Sequence, residues 1–109
     1  MDNQTIGRLG EDFAEIFLEK HGYEILERNY RTKFGEIDII CRKSGAVRFV
    51  EVKTRTSDEF GRPSEAVGHR KRSNIKAASK IYIRDAEPNA GRFSFDVVEV
   101  TISHLKDVM

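Results

Sequence analysis

Gly35-Glu36-Ile37-Asp38-Ile39-Ile40 and, further on, Phe49-Val50-Glu51-Val52-Lys53-Thr54 are the two runs that decide the fold of this 109-residue chain. Each has the length and apolar content of a buried strand, and Lys43-Ser44-Gly45 between them is a turn sequence. Together they predict an antiparallel hairpin. Alternation along a strand sends Glu51 and Lys53 to one side and Val50 and Val52 to the other. On the partner strand it groups Asp38 with Glu36 and Ile40, opposite Ile37, Ile39 and Cys41. Acids and a lysine among apolar neighbours in a sheet centre are costly unless paired, and a bound cation would pair them.

Two carboxylates on adjacent strands suit Mg²⁺ or Mn²⁺; Mg²⁺ takes oxygen ligands at about 2.0–2.1 Å and keeps some of its waters. The ion lowers the pKa of a bound water and neutralises charge building on a phosphate. A lysine two residues after the second acid falls beside that ion, where its ammonium orients the water or stabilises the transition state. The pattern points to metal-assisted phosphodiester hydrolysis, with Asp38 and Glu51 as metal ligands and Lys53 as the catalytic cation. The competing reading is a solvated strand face with a Glu–Lys pair, which a chain with 34% charged residues produces by chance.

Asp38 followed across the turn by Glu51-Val52-Lys53 resembles the PD-(D/E)xK signature of the restriction-endonuclease-like superfamily, with Ile37 where the signature has proline. Further segments accompany it in order: Gly7-Arg8-Leu9-Gly10-Glu11, Asn29-Tyr30-Arg31, Phe60-Gly61, Glu65-Ala66-Val67, Arg70-Lys71 and Asp96-Val97-Val98. Together they are similar to the YraN family, small bacterial proteins regarded as nuclease-like and related to archaeal Holliday-junction resolvases. The resemblance runs from about Gly7 to Val100. It implies a hydrolase of the endonuclease kind with a first-helix glutamate, here Glu11, as an accessory catalytic and metal-binding residue. One departure is Gly68-His69, where the family has Thr-Pro.

Composition sets the frame. The length predicts a single domain over residues 1–109, and 39% hydrophobic residues suffice for a core. No run is long enough for a membrane span, and the N-terminus lacks a signal-peptide pattern. Cys41, the one cysteine, reads as a buried free thiol, and the expected location is the cytoplasm. The three histidines form no zinc pattern.

Working outward, Thr5–Lys20 predicts a first helix whose packed stripe is Leu9, Phe13, Ile16 and Phe17. Gly10 and Ala14 lie on its flank and Glu11 just beyond; on pattern alone Glu11 is a boundary glutamate. If it reaches the metal, Gly7 and Gly10 let helix and hairpin approach closely. Tyr23–Tyr30 predicts a strand with Tyr23, Ile25 and Glu27 on one face and Leu26 and Arg28 on the other. The polar stretch Asn29–Gly35 reads as a loop, in which Arg31 and Lys33 either touch a phosphate backbone or are ordinary loop charges. Tyr30 either stacks on a base or packs at the strand end, the second being the more frequent case. A polar loop from Thr54 to Pro63, including Arg55, is a candidate for gripping substrate. Ser64–Val67 suggests a helical turn, with Glu65 a further acid bordering the site or a capping residue. Phe93–Val100 is the last strand, where Asp96 either supports the site or forms a salt bridge.

Arg70–Arg84 predicts a second helix with Ile75, Ala78 and Tyr82 inward. It carries six bases (Arg70, Lys71, Arg72, Lys76, Lys80 and Arg84) and no acid. Removing those six from the 19 bases leaves 13 against 18 acids, so a formal net charge of +1 conceals a cationic ridge on an acidic body. Such segregation favours phosphate-backbone binding, with nucleic acid, DNA first, as the expected partner. A homodimer stays open; a membrane partner is not expected. The order α-β-β-β-α-β is an α/β chain with a mixed central sheet flanked by helices, the order of the restriction-endonuclease-like core. The function expected is Mg²⁺-dependent cleavage of DNA, including branched DNA. The alternative is a nucleic-acid-binding module that keeps the fold without turnover.

Overall fold

Ser44 and Gly45 hold φ values of +53° and +78°. Two consecutive left-handed residues make the two-residue turn whose twist matches the flanking strands, so the central hairpin is tight. The computed structural model describes residues 2–56 and 68–109. Its elements are α1 (Asn3–Lys20), β1 (Glu24–Thr32), β2 (Gly35–Lys43), β3 (Ala46–Thr56), α2 (His69–Ala86) and β4 (Arg92–Ile102). The sheet order is β1-β2-β3-β4, antiparallel at the first two pairings and parallel between β3 and β4. The α/β order and the mixed sheet are those expected. Polar segment 57–67, with the expected loop, the turn at Ser64–Val67 and Glu65, lies outside the described residues.

One helix covers each face. Ile75, Ala78 and Tyr82 of α2 pack on Ile37, Ile40, Val47 and Phe49, as the second helix's pattern required. Tyr30 joins them, its ring edge-on to Tyr82 at 5.3 Å. On the other face Ala14 and Leu18 of α1 pack on Ile39, Cys41 and Val50.

Several expectations need correction. On α1 the predicted stripe is not the packed one: Leu9, Phe13, Ile16 and Phe17 remain 42%, 66%, 54% and 51% exposed. Gly10, Ala14 and Leu18 are buried instead. The reason is steric, because a β-carbon at Gly10 would fall 1.8 Å from Thr54 Oγ1. Gly10 and Ala14 let the helix backbone settle on β3, with Leu18 packing beyond them, and that choice turns Glu11 toward the sheet. Gly7 does not share the role, since a β-carbon there meets nothing within 4 Å.

On β1 the register against β2 shifts between Ile25 and Glu27, leaving Leu26 as an extra residue. Tyr23 and Ile25 pack toward α1, Leu26 and Tyr30 toward α2. Arg28 then reaches the acids of α1, on the face opposite Leu26 rather than beside it. Strict alternation also fails on β2. Ile37 and Ile40 share the α2 face, while Ile39 and Cys41 share the α1 face. The break falls at Asp38, and residue pairing with β3 runs only from Ile39–Val50 back to the turn.

Two expected loops start later in the chain. Strand β1 continues to Thr32, so only Lys33-Phe34 turns, braced by the Thr32 hydroxyl, which donates to the Gly35 carbonyl at 3.1 Å. Strand β3 continues to Thr56 because β4 pairs with it throughout, so Thr54 and Arg55 belong to the sheet. No helix among the described residues is long and apolar enough to cross a membrane.

Candidate active site

Where β2 and β3 part beyond Ile39 and Val50, the Asp38 side chain occupies the opening. Its Oδ2 accepts the Val52 N–H at 2.8 Å, replacing a rung of the ladder with a carboxylate. Unbroken register with β4 keeps β3 regular, so Val50 and Val52 face α1 while Glu51 and Lys53 face the other way, as expected. Glu51 is 6% exposed, and the Lys71 ammonium of α2 lies against it. Lys53 is half-buried two residues along the same face.

Burial, above all, raises the Asp38 carboxyl to about 7. The Val52 N–H opposes that shift, while the adjoining Glu51 carboxyl and the charge of Glu11 add to it. Two acids held this close, one of them reluctant to ionise, form a pair that a cation would relieve. Among the described residues no three acids, histidines or cysteines converge tightly enough to cage a metal. Two carboxylates nevertheless suit Mg²⁺, which binds through one or two acids and keeps several waters.

Glu11 stands apart from the pair. Its carboxylate accepts from Arg28 at 3.5 Å and, in the amide orientation that satisfies both neighbours, from Asn29 at 3.1 Å. Arg28 also binds Asp12 at 2.8 Å. Glu11 lines a polar hollow of about 320 Å³ with Gln4, Arg8, Asn29, Arg31 and Glu36. On the α2 side an apolar cleft of about 310 Å³ reaches Glu51 between Ile37, Phe49, Ile75 and Val97, with Arg72 and Lys76 also lining it.

The bases divide into two groups. Arg70, Arg72, Lys76 and Lys80 are exposed along α2. Lys71, read from sequence as part of that ridge, turns inward to Glu51. At the β1–β2 turn Arg31 pairs with Glu36 at 3.6 Å and the Lys33 ammonium sits 5.2 Å from the Phe34 ring centre. Arg55 is a strand residue bound to Glu99 at 3.4 Å. Asp96 pairs with Arg48 at 3.5 Å, which bears out the salt-bridge alternative. Cys41 is buried, and burial pushes its thiol up to about 11, so it is no nucleophile at neutral pH.

Sequence reasoning missed two participants. The role of Arg28 depends on the bulge at Leu26, which leaves no mark in the residue pattern. The inward turn of Lys71 had a weak signal: it is the base one helical turn before Ile75.

Comparison with known proteins places the chain among relatives. The model of an uncharacterised protein family, UPF0102, matches residues 10–100. A UPF0102 protein of Dictyoglomus turgidum is 43% identical over 109 residues, covering 100% of this chain and 92% of that protein. Similar proteins from Syntrophomonas wolfei and Clostridium acetobutylicum are 45% and 46% identical, covering 92% and 96% of this chain and 87% and 86% of their own lengths. The YraN resemblance agrees with this match, YraN being the E. coli member of UPF0102. The family description names no activity.

Proposed function

We propose that this chain, which belongs to the UPF0102 family, is a metal-dependent endonuclease of the restriction-endonuclease-like, resolvase-like kind, hydrolysing phosphodiester bonds in DNA. Branched or otherwise structured DNA is the substrate class proposed. The observation that carries this reading is Asp38, half-buried in the opening between β2 and β3 beside Glu51, with its carboxyl raised to about 7.

Asp38 and Glu51 are the residues that would hold Mg²⁺ or Mn²⁺. When bound, the ion supplies Lewis acidity toward the scissile phosphate and a water of lowered pKa. The chain's own groups do the rest. Lys53, on the Glu51 face, presents its ammonium to the attacking water or to the phosphate oxygens. The exposed bases Arg70, Arg72, Lys76 and Lys80 hold the backbone of the nucleic acid along α2. Arg31 and Lys33 extend that contact at the β1–β2 turn. The apolar wall of Ile37, Phe49 and Ile75 lowers the local dielectric around Glu51 and strengthens its attraction for any cation. Glu11 adds negative potential from the α1 side and serves as the accessory acid.

A second reading has its own support. Lys71 already neutralises Glu51, and no third acid joins the pair among the described residues, as a binding module without turnover would have it. The deciding experiment incubates the purified protein with branched, duplex and single-stranded DNA and with RNA, with and without Mg²⁺ or Mn²⁺. Cleavage that needs the metal and disappears in Asp38→Asn and Lys53→Ala supports the nuclease. Wild type that never cleaves, with both variants binding as it does, leaves the binding module.

A further inference from the structure

The outer face of α1 is apolar along most of its length. Leu9, Phe13, Ile16 and Phe17 follow at i, i+4, i+7 and i+8 and keep 42–66% of their surface exposed. Half-buried Ile6 extends the stripe by a turn. Single apolar residues are ordinary on a protein surface; a contiguous stripe on one helix marks an interface.

The stripe also has charged ends of opposite sign. Asp2, the N-cap, precedes Ile6 by one turn, and Lys20, the base of the last turn, follows Ile16 by one turn. At 100° per residue, Asp2, Leu9, Phe13 and Lys20 fall within roughly 40° of one another. We propose that this face pairs with α1 of a second copy of the chain, antiparallel across a two-fold axis level with Glu11. In that register Leu9 meets Phe13 of the second copy, Ile6 meets Ile16, and Asp2 meets Lys20, each pairing occurring twice. Parallel pairing would instead set Asp2 against Asp2 and Lys20 against Lys20. An anionic lipid surface fits less well, because Asp12 and Glu19 border the stripe and are exposed. The interface is on the side of α1 away from Asp38 and Glu51, so the inference stands apart from the nuclease reading.

Sedimentation velocity across a concentration series tests it. Wild type should approach twice the mass of one chain as concentration rises. Phe13→Glu should be monomeric throughout, with unchanged circular dichroism because Phe13 contributes little to the core. Lys20→Glu should raise the dissociation constant severalfold, and adding Asp2→Asn, which keeps a capping side chain, should recover part of that loss. A wild type that stays monomeric to millimolar concentration overturns the proposal, whether or not it binds vesicles or another protein. A dimer unmoved by Phe13→Glu overturns it too. If Lys20→Glu has no effect, the antiparallel register is wrong.

Discussion

The Lys71 ammonium of α2 closes on the Glu51 carboxylate of β3, so the acid at the centre of the candidate site is neutralised from within the chain. Glu51 is buried and Lys71 half-exposed, which places the pair between a surface bridge and a fully desolvated one. Lys71→Ala should lower stability by about 1–3 kcal/mol in EDTA, because buried Glu51 is left beside Asp38 without its paired ammonium. If Asp38 and Glu51 bind metal, Mg²⁺ should restore part of that loss and bind the variant more tightly than wild type, since Lys71 no longer competes. Thermal melts of both proteins across a Mg²⁺ series give the answer. No response to Mg²⁺ in either protein would remove the metal from the site.

Asp38 makes stability depend on pH. Its folded pKa is about 7 against an ordinary 3.8, so between those values the folded chain keeps a proton that the unfolded chain releases. Stability therefore falls as pH rises through that window, and the full cost is present above pH 7. Asp38→Asn retains an acceptor for the Val52 N–H and cannot ionise. The variant should melt higher than wild type at pH 8, by about 4–8 °C for each kcal/mol recovered. It should also flatten the fall between pH 4 and pH 7. Equal melting temperatures at pH 8 would mean that Asp38 carries no such burden.

The ridge on α2 predicts a salt effect. Replacing Arg72, Lys76 and Lys80 together with alanine should weaken binding to all DNA sequences alike. The slope of log affinity against log salt should become shallower by about 0.9 for each duplex phosphate that the helix no longer neutralises. An unchanged slope in a fluorescence-anisotropy titration would mean that this face of α2 meets something else.

Gly10 predicts a steric effect. Gly10→Ala drives a methyl group into the Thr54 side chain, whose Oγ1 and Cβ lie 1.8 Å and 2.9 Å from the added carbon. The substitution should cost about 1–3 kcal/mol despite alanine's better helix propensity, as overpacking does. Thr54→Ala should relieve part of it, and a double-mutant cycle by urea denaturation measures the coupling. Additive effects would show that the helix accommodates the methyl group by moving.

The order of elements was legible because each relies on local signals: helical spacing in α2, strand-length apolar runs in β2 and β3, and turn residues at Ser44-Gly45. The motif Asp38, Glu51, Lys53 was legible for the same reason, since alternation along the regular strand β3 carries Glu51 and Lys53 to one face. What failed was every inference that needed the partner surface. The outward turn of Phe13 and Phe17 follows from the fit of Gly10 on Thr54, a contact between residues 44 apart in sequence. Arg28 and Leu26 are sent to opposite faces by a bulge, and Ile37 and Ile40 come together through the break at Asp38. Size predicted burial on α1, whereas close approach decided it.

Parallel pairing of β3 with β4 joins residues 46 positions apart at every rung, from Ala46–Arg92 to Thr56–Ile102. The β1-β2-β3 meander, by contrast, is joined by tight turns. Pairings that close small loops form before those that close large ones, so the meander is the natural folding nucleus and α2 with β4 the last pieces to dock. Asp38 and Glu51 therefore meet early, on a half-built sheet, and Lys71 arrives only with α2. In that order of assembly the two acids come together before Lys71 is in place, and docking of α2 supplies the ammonium that pairs with Glu51. Substitutions in β2 and β3 should slow folding, whereas those in β4 should chiefly hasten unfolding.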